Sequence, residues 1–424
     1  MEYPKILVIS NGCLSKASSN GRTLLNFLSG WPQEKLYQFY KSSEIIDSGI
    51  VQDYYQVTDG DALCAFLHKK KSKSATTPPV TVSGADNAKE KRIQKNPVTA
   101  IIREVIWNSN CWGKKNYFQW IEQIKPDVIL FQAGDFGYLC KLAYKTALKF
   151  QLPVIIYNSE NYYFKNYDYT RSSGIKSAFY PISHSIFKKN FARLIRYASM
   201  SVYICDSLKE KYDVHFGKPS ITLYTASALK PMRKTRNELT RFSYLGNLGL
   251  DRDECLIDMA EILYSLNPQL RIDVYGNADS DITNRLNNAV GINFHGCVSY
   301  SEVQKVMEES DVLIHVESFD SYYQKDLEDA FSTKIADNLS SGKCFLVYAP
   351  SNLACTKYLR KNKAAYVADN INELKEVLKQ ILTSTEERNK YSDRAIELAK
   401  KNHNAENNSR VFQQLIVDIL DKKK

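Results

Sequence analysis

Residues 331–343, FSTKIADNLSSGK, place two hydroxyls and a cation just ahead of a carboxylate, then stop at a glycine. Ser332 or Thr333 is an N-cap by type, so the stretch predicts a helix over 333–342 that Gly342 ends. A helix start carries unpaired N–H groups and about half a positive charge. Lys334 adds a full charge, and Asp337 follows one turn further in. Such a set suits a diphosphate on the helix tip and a ribose whose hydroxyls meet the carboxylate. The same residues fit a capped structural helix with a solvated Asp337, and by themselves they leave the two readings level.

Two loops offer related chemistry. In YLGNLGLDRDE, 244–254, Gly246 and Gly249 permit a tight turn, and Arg252 stands near a helix start where it could grip a diphosphate bidentately. A solvated surface arginine is the alternative. In SNGCLSKASSNGRTLLN, 10–26, Gly21 opens a helix and lets backbone approach a ligand closely, although ordinary strand-to-helix turns also hold glycine. Neither loop is GxGxxG or GxxxxGK[ST]. The six histidines are dispersed, with no HExxH and no GxSxG, so neither a zincin nor an α/β-hydrolase is supported. Three DxD triplets occur, at Asp59, Asp251 and Asp279, too short a match to imply a metal.

These loops need strands to carry them. Apolar runs at 5–10, 35–40, 127–132, 153–158, 201–206 and 220–224 alternate with helical patterns. The series restarts with 242–246, 271–276, 292–296, 311–316, 344–349 and 364–369. Nearly continuous apolar strands are covered on both faces, and strand–helix alternation means parallel sheets with right-handed crossovers. In such sheets ligands bind beyond the carboxyl ends of the strands. The expectation is α/β: two Rossmann-like, doubly wound domains. The polar, basic stretch 226–241 reads as the linker. The domains are placed at 1–228 and 240–402, with a last helix, 403–424, that could return to the first domain.

The totals fit this plan. The chain has 424 residues, 44% hydrophobic and 25% charged, which reads as soluble, globular and two-domained. Its first apolar run, Ile6–Ile9, is too short for a signal peptide, and no run approaches a membrane span. Nine cysteines without a CxxC pair read as reduced thiols of a cytoplasmic protein. A net charge of +10 suits an anionic partner. The segment 68–96, rich in Lys, Ser and Thr, reads as a mobile insertion. After it, 97–121 is a helical pattern with Trp107, Trp112 and Trp120, either facing the core or lying on an anionic membrane surface as a peripheral anchor.

With these loops located, the chain resembles GT-B glycosyltransferases of the family 4 kind, those of bacterial capsular, exopolysaccharide and surface-glycan synthesis. The motifs that carry the resemblance are YLGNLGLDR, HVESFD and STKIADNLSSGK, in family order within 240–350, with looser similarity at SSNGRTLLN and YICDSLKEKYDVHFGK. The resemblance implies two Rossmann-like domains facing a cleft. It implies transfer of a sugar from a nucleotide-diphosphate donor, a UDP-sugar ahead of a GDP-sugar, to a glycan or lipid-linked acceptor with retention of configuration. It puts the acceptor on the first domain and the donor on the second, with neither cofactor, metal nor nucleic acid required. By position it assigns the phosphates to Arg252 and the turn at Ser332 and Thr333, and the ribose to Asp337 with Asp329 as its paired carboxylate; Gly21, Gly246, Asn247, Lys334, His315 and Glu317 are the further donor-binding candidates. Arg252 and Lys334 would stabilise the leaving diphosphate. Glu160, with Asn161 beside it, stands where the family often has a strand-end histidine, and Glu160 is the catalytic candidate there. Asp329 and Asp337 occupy the family's pair of carboxylates eight positions apart, where Glu is usual, and Asp253 and Glu254 replace a customary lysine. Two other readings share the sequence: a nucleotide-sugar 2-epimerase, and a non-catalytic carbohydrate or membrane scaffold.

Overall fold

The computed structural model describes residues 3–15, 18–47, 49–68, 95–232 and 238–422. Of the expected mobile insertion, only His68, Lys95 and Asn96 fall among the described residues. The chain divides into two compact units, one of Met1–Leu223 with Ser409–Lys424 and one of Tyr224–Asn408.

The first unit holds seven parallel strands: β1 (Ile6–Ser10), β2 (Leu36–Tyr40), β3 (Asp53–Gln56), β4 (Val128–Gln132), β5 (Val154–Asn158), β6 (Met200–Tyr203) and β7 (Ser220–Thr222). Their order is β3-β2-β1-β4-β5-β6-β7, so the winding reverses between β1 and β4. All five residues of β1, β2, β4 and β5 are buried, as a sheet covered on both faces requires. One face packs on Phe27, and the C-terminal helix Ala405–Asp421 supplies Phe412 and Ile416 to the same core. Phe27 and Phe412 stack with centroids 5.7 Å apart.

The second unit holds six: β8 (Phe242–Leu245), β9 (Ile272–Tyr275), β10 (Ile292–Gly296), β11 (Val312–Val316), β12 (Cys344–Tyr348) and β13 (Tyr366–Ala368). Their order is β10-β9-β8-β11-β12-β13, with the reversal between β8 and β11. Both sheets are thus parallel and doubly wound, as the strand–helix alternation predicted. Residues 226–232 of the stretch read as a linker lie in the second unit, where Met232 N–H donates to the Ser341 carbonyl at 2.7 Å.

The pattern at 97–121 is two helices, Pro97–Asn108 and Lys114–Ile124, broken at Gly113, whose φ is +87°. Trp107, Trp112 and Trp120 are all buried. Their indole N–H groups donate to Asp59, the Trp107 carbonyl and Asp53 at 2.9, 2.8 and 2.7 Å. The core-facing alternative is therefore the observed one, and these rings are not at a headgroup surface. Among the described residues no helix is long and apolar enough to cross a membrane.

Candidate functional site

The reversal in the second sheet sets β8 beside β11, so the loops leaving these strands open on one crevice. Arg252 enters from the first loop and Glu317 from the second. Arg252 Nε and Nη2 both reach Glu317 Oε2, at 2.9 and 2.7 Å. Arg252 Nη1 donates to the Gly249 carbonyl at 3.1 Å. The other carboxylate oxygen of Glu317 lies 3.2 Å from His315 Nε2. His315 and Glu317 are both buried, and Arg252 keeps 12% of its side chain exposed. Burial works against both charges, yet each holds the other's. The Glu317 carboxyl is kept below its ordinary value by His315 and Arg252, and the Arg252 guanidinium is held above its own by Glu317.

The loop that delivers Arg252 is strained. Leu250 and Asp251 have φ of +65° and +55°, a left-handed region that costs non-glycine residues about 1 kcal/mol or more each. The turn is closed from within: Asn247 Oδ1 accepts the Gly249 N–H at 2.9 Å, and its carbonyl accepts the Tyr244 hydroxyl at 2.7 Å. Gly246 N–H donates to the Tyr275 carbonyl at 2.9 Å, which ties the loop to β9. There Gly276 is obligatory, because a Cβ would stand 2.2 Å from the Gly246 carbonyl oxygen. Asp253, in place of the customary lysine, is fully buried and takes Arg285 Nε and Nη2 at 2.8 and 2.5 Å. It is a structural tie between two helices.

The predicted capped helix is Thr333–Ser341. Ser332 is its N-cap, accepting the Lys334 N–H at 3.4 Å, and Gly342 ends it with φ of +67°. Ile335, Ala336, Asn338 and Leu339 bury one face while Lys334 is exposed. Asp337, half-buried, accepts the Ser227 hydroxyl at 2.6 Å. Its carboxylate is thus already oriented, by a serine 110 residues away that the sequence placed in a linker. Asp329 is buried ahead of the helix. Lys343, absent from the expected site, is buried with Nζ on the Glu308 carbonyl at 2.7 Å, capping the end of the helix Tyr300–Glu309.

The two remaining predicted residues belong to the first unit. At Gly21, in the helix Ser19–Phe27, a Cβ would lie 2.5 Å from the Ser15 carbonyl oxygen. The close approach is real, and the chain's own loop makes it. Glu160 is half-buried in the loop after β5, with its carbonyl accepting the Tyr162 N–H at 3.1 Å. The structure therefore brings together Arg252, Glu317 and His315 in the second unit. It places Ser332, Thr333, Lys334 and Asp337 on a helix of that unit, and Gly21 and Glu160 in the other. The DxD triplets have local duties: Asp61 completes a capping box with Thr58, and Asp279 caps the helix Ser280–Asn288.

Residues 254–414 match the model of a family described as glycosyl transferase-like. The match spans His315, Glu317, Asp329, Ser332, Thr333, Lys334 and Asp337 and begins just after Arg252. Among solved structures, HepE of Anabaena in complex with UDP is similar at a TM-score of 0.61 and 10% identity, over 98% of this chain and 100% of that one. Sucrose-phosphate synthase of Thermosynechococcus elongatus gives 0.63 and 9%, over 99% and 100%. The lipopolysaccharide outer core galactosyltransferase WaaB gives 0.57 and 11%, over 99% and 100%. A search of curated protein sequences returns no match. At these identities the likeness concerns the fold, two Rossmann-like units of the GT-B type.

Proposed function

From the premise that a GT-B chain with a glycosyl transferase-like second unit is a glycosyltransferase, we propose that it moves a sugar from a UDP-sugar to a glycan or lipid-linked acceptor, with retention of configuration, in surface-glycan synthesis. The second unit binds the donor and the first the acceptor. The observation that carries the reading is the buried Arg252–Glu317–His315 cluster, held by a strained loop at the reversal of the second sheet. Strained backbone and buried ionic groups at a crevice are characteristic of sites that pre-organise charge.

In this reading Glu317 fixes the direction of the Arg252 fork, so its charge is locally balanced. The positive potential for the leaving diphosphate then comes chiefly from Lys334 and the N-terminus of the helix Thr333–Ser341. Asp337, turned by Ser227, takes the ribose hydroxyls, while His315 and Asp329 border the donor sugar. That HepE has been solved with UDP and with UDP-glucose supports a UDP-sugar donor. The test is a screen of UDP- and GDP-sugars read by released nucleotide, with and without a mixture of glycan acceptors. The reading expects nucleotide release from a UDP-sugar that rises with acceptor. Release of an epimerised nucleotide-sugar without acceptor would replace it with the 2-epimerase reading.

A further inference from the structure

A second constellation lies at the carboxyl edge of the first sheet, where β2, β3, β4 and β5 run into loops. Lys41 follows β2, Asp59 follows β3, Asp135 and Phe136 follow β4, and Tyr162, Lys165 and Tyr169 follow β5. Lys41 is buried with Nζ 2.9 Å from Asp59 Oδ2 and 4.3 Å from the Phe136 ring centre. Arg103 Nε reaches the same Asp59 oxygen at 3.0 Å, so this carboxylate faces two cations. Lys95 pairs with Asp135, which also accepts the Tyr169 hydroxyl. Lys95 Nζ stands 5.5, 5.7 and 5.4 Å from the rings of Phe136, Tyr162 and Tyr169. Lys165, also buried, stands 5.5 and 4.9 Å from Tyr162 and Tyr169.

Three features make this more than a packed charge network. Three lysines, two of them buried, meet aromatic rings at one sheet edge, a grouping of cations and rings that suits an acidic sugar. Phe136, Tyr162 and Tyr169 stay half-buried, which leaves ring surface for the C–H face of a sugar. The Tyr138 hydroxyl is buried without a hydrogen-bond partner among the described residues, on a ring stacked 4.9 Å from Trp107 and 5.6 Å from Lys41 Nζ. A buried hydroxyl without a protein partner is satisfied by an ordered water or by a bound polar group, and this one lies beside the Lys41 ammonium.

We propose that this edge is a subsite for a sugar ring bearing an acidic group, phosphate or carboxylate, whose charge is taken by Lys41, Lys95 and Lys165 and whose ring rests on Phe136 and Tyr162. It rests on the reading of the first unit as the acceptor side, and makes the acceptor an acidic glycan. The sugar's acidic oxygens accept from the lysines, while Asp59 and Asp135 turn the ammonium groups toward it.

The test is equilibrium binding to the full chain, by calorimetry or ligand-observed NMR, of glucose 6-phosphate and glucuronate against glucose, with UDP titrated in parallel. Both acidic sugars are expected to bind roughly tenfold or more tighter than glucose. Lys165→Gln and Tyr162→Ala should each remove most of that preference and leave UDP affinity unchanged. Lys165 is buried, so the more exposed Lys95→Gln provides a second variant that folds, with the same direction of effect expected. If only glucose 6-phosphate shows the preference, the subsite takes phosphate; if only glucuronate, carboxylate. Equal binding of glucose and both acidic sugars, or a preference untouched in Lys95→Gln and Tyr162→Ala, overturns the inference. Because UDP is read separately, loss of UDP binding would refute the donor reading and leave the sugar result standing.

Discussion

At the scale of single residues, the Arg252–Glu317 pair separates stability from function. Removing Arg252 alone strands a buried carboxylate, which typically costs about 3–5 kcal/mol. Arg252→Ala should therefore lower the melting temperature as well as activity. Replacing both partners with apolar residues of similar volume is often neutral for stability. Arg252→Met/Glu317→Leu is expected to melt near the unaltered protein and still lose nucleotide-dependent turnover. Full turnover in a stably folded double variant would remove the pair from the mechanism.

His403 gives a pH prediction. It is fully buried, with Nδ1 2.7 Å from the Thr225 carbonyl and Nε2 2.9 Å from the Tyr358 hydroxyl. Burial lowers its pKa from 6.5 to about 4. Between those values the unfolded chain binds a proton that the folded chain refuses, so stability falls as pH falls. The contribution is whole above pH 6.5 and has lost roughly 3 kcal/mol by pH 4. Urea unfolding of the natural protein and His403→Gln across that range should show a flatter dependence for the variant. Parallel curves would contradict the assignment.

At the scale of elements, Gly276 is an exacting joint in the second unit. A Cβ there meets backbone, the Gly246 carbonyl, which no side-chain rotation can relieve. Gly276→Ala should displace the loop that carries Arg252, cost about 1–3 kcal/mol, and weaken UDP binding. Unchanged melting and UDP affinity would show that the loop yields freely. Twelve of the strands were legible in the sequence, most of them because a buried parallel strand is a nearly continuous apolar run. β3, DYYQ, was not: it is four residues long, on the sheet edge, with polar ends. The break at Gly113 was missed, although the polar stretch 108–110 and Gly113 itself mark it. Within the site, the capped helix at 333 and the arginine at a helix start could be read locally. Their partners could not, because Glu317 is 65 residues from Arg252 and Ser227 is 110 from Asp337. Only strand order or tertiary packing brings them together.

At the scale of the whole molecule, the chain repeats one architecture twice, and each copy gathers charge at the carboxyl ends of its strands. In the second unit Arg252 is paired with Glu317 beside His315, and Lys334 stands exposed in the first turn of another helix. In the first, a set of lysines stands among aromatic rings. A positive excess of +10 is consistent with both ligands being anions. The central claim is that the second unit neutralises a diphosphate with Lys334 and the helix beside it. Titration of the full chain with UDP and with UMP, in the natural protein and in Lys334→Ala, tests this most directly, because Lys334 is exposed and its removal disturbs no core. UDP is expected to bind at least about tenfold tighter than UMP, with that margin largely gone in the variant. Equal affinity for the two nucleotides, or a margin that survives Lys334→Ala, would contradict it.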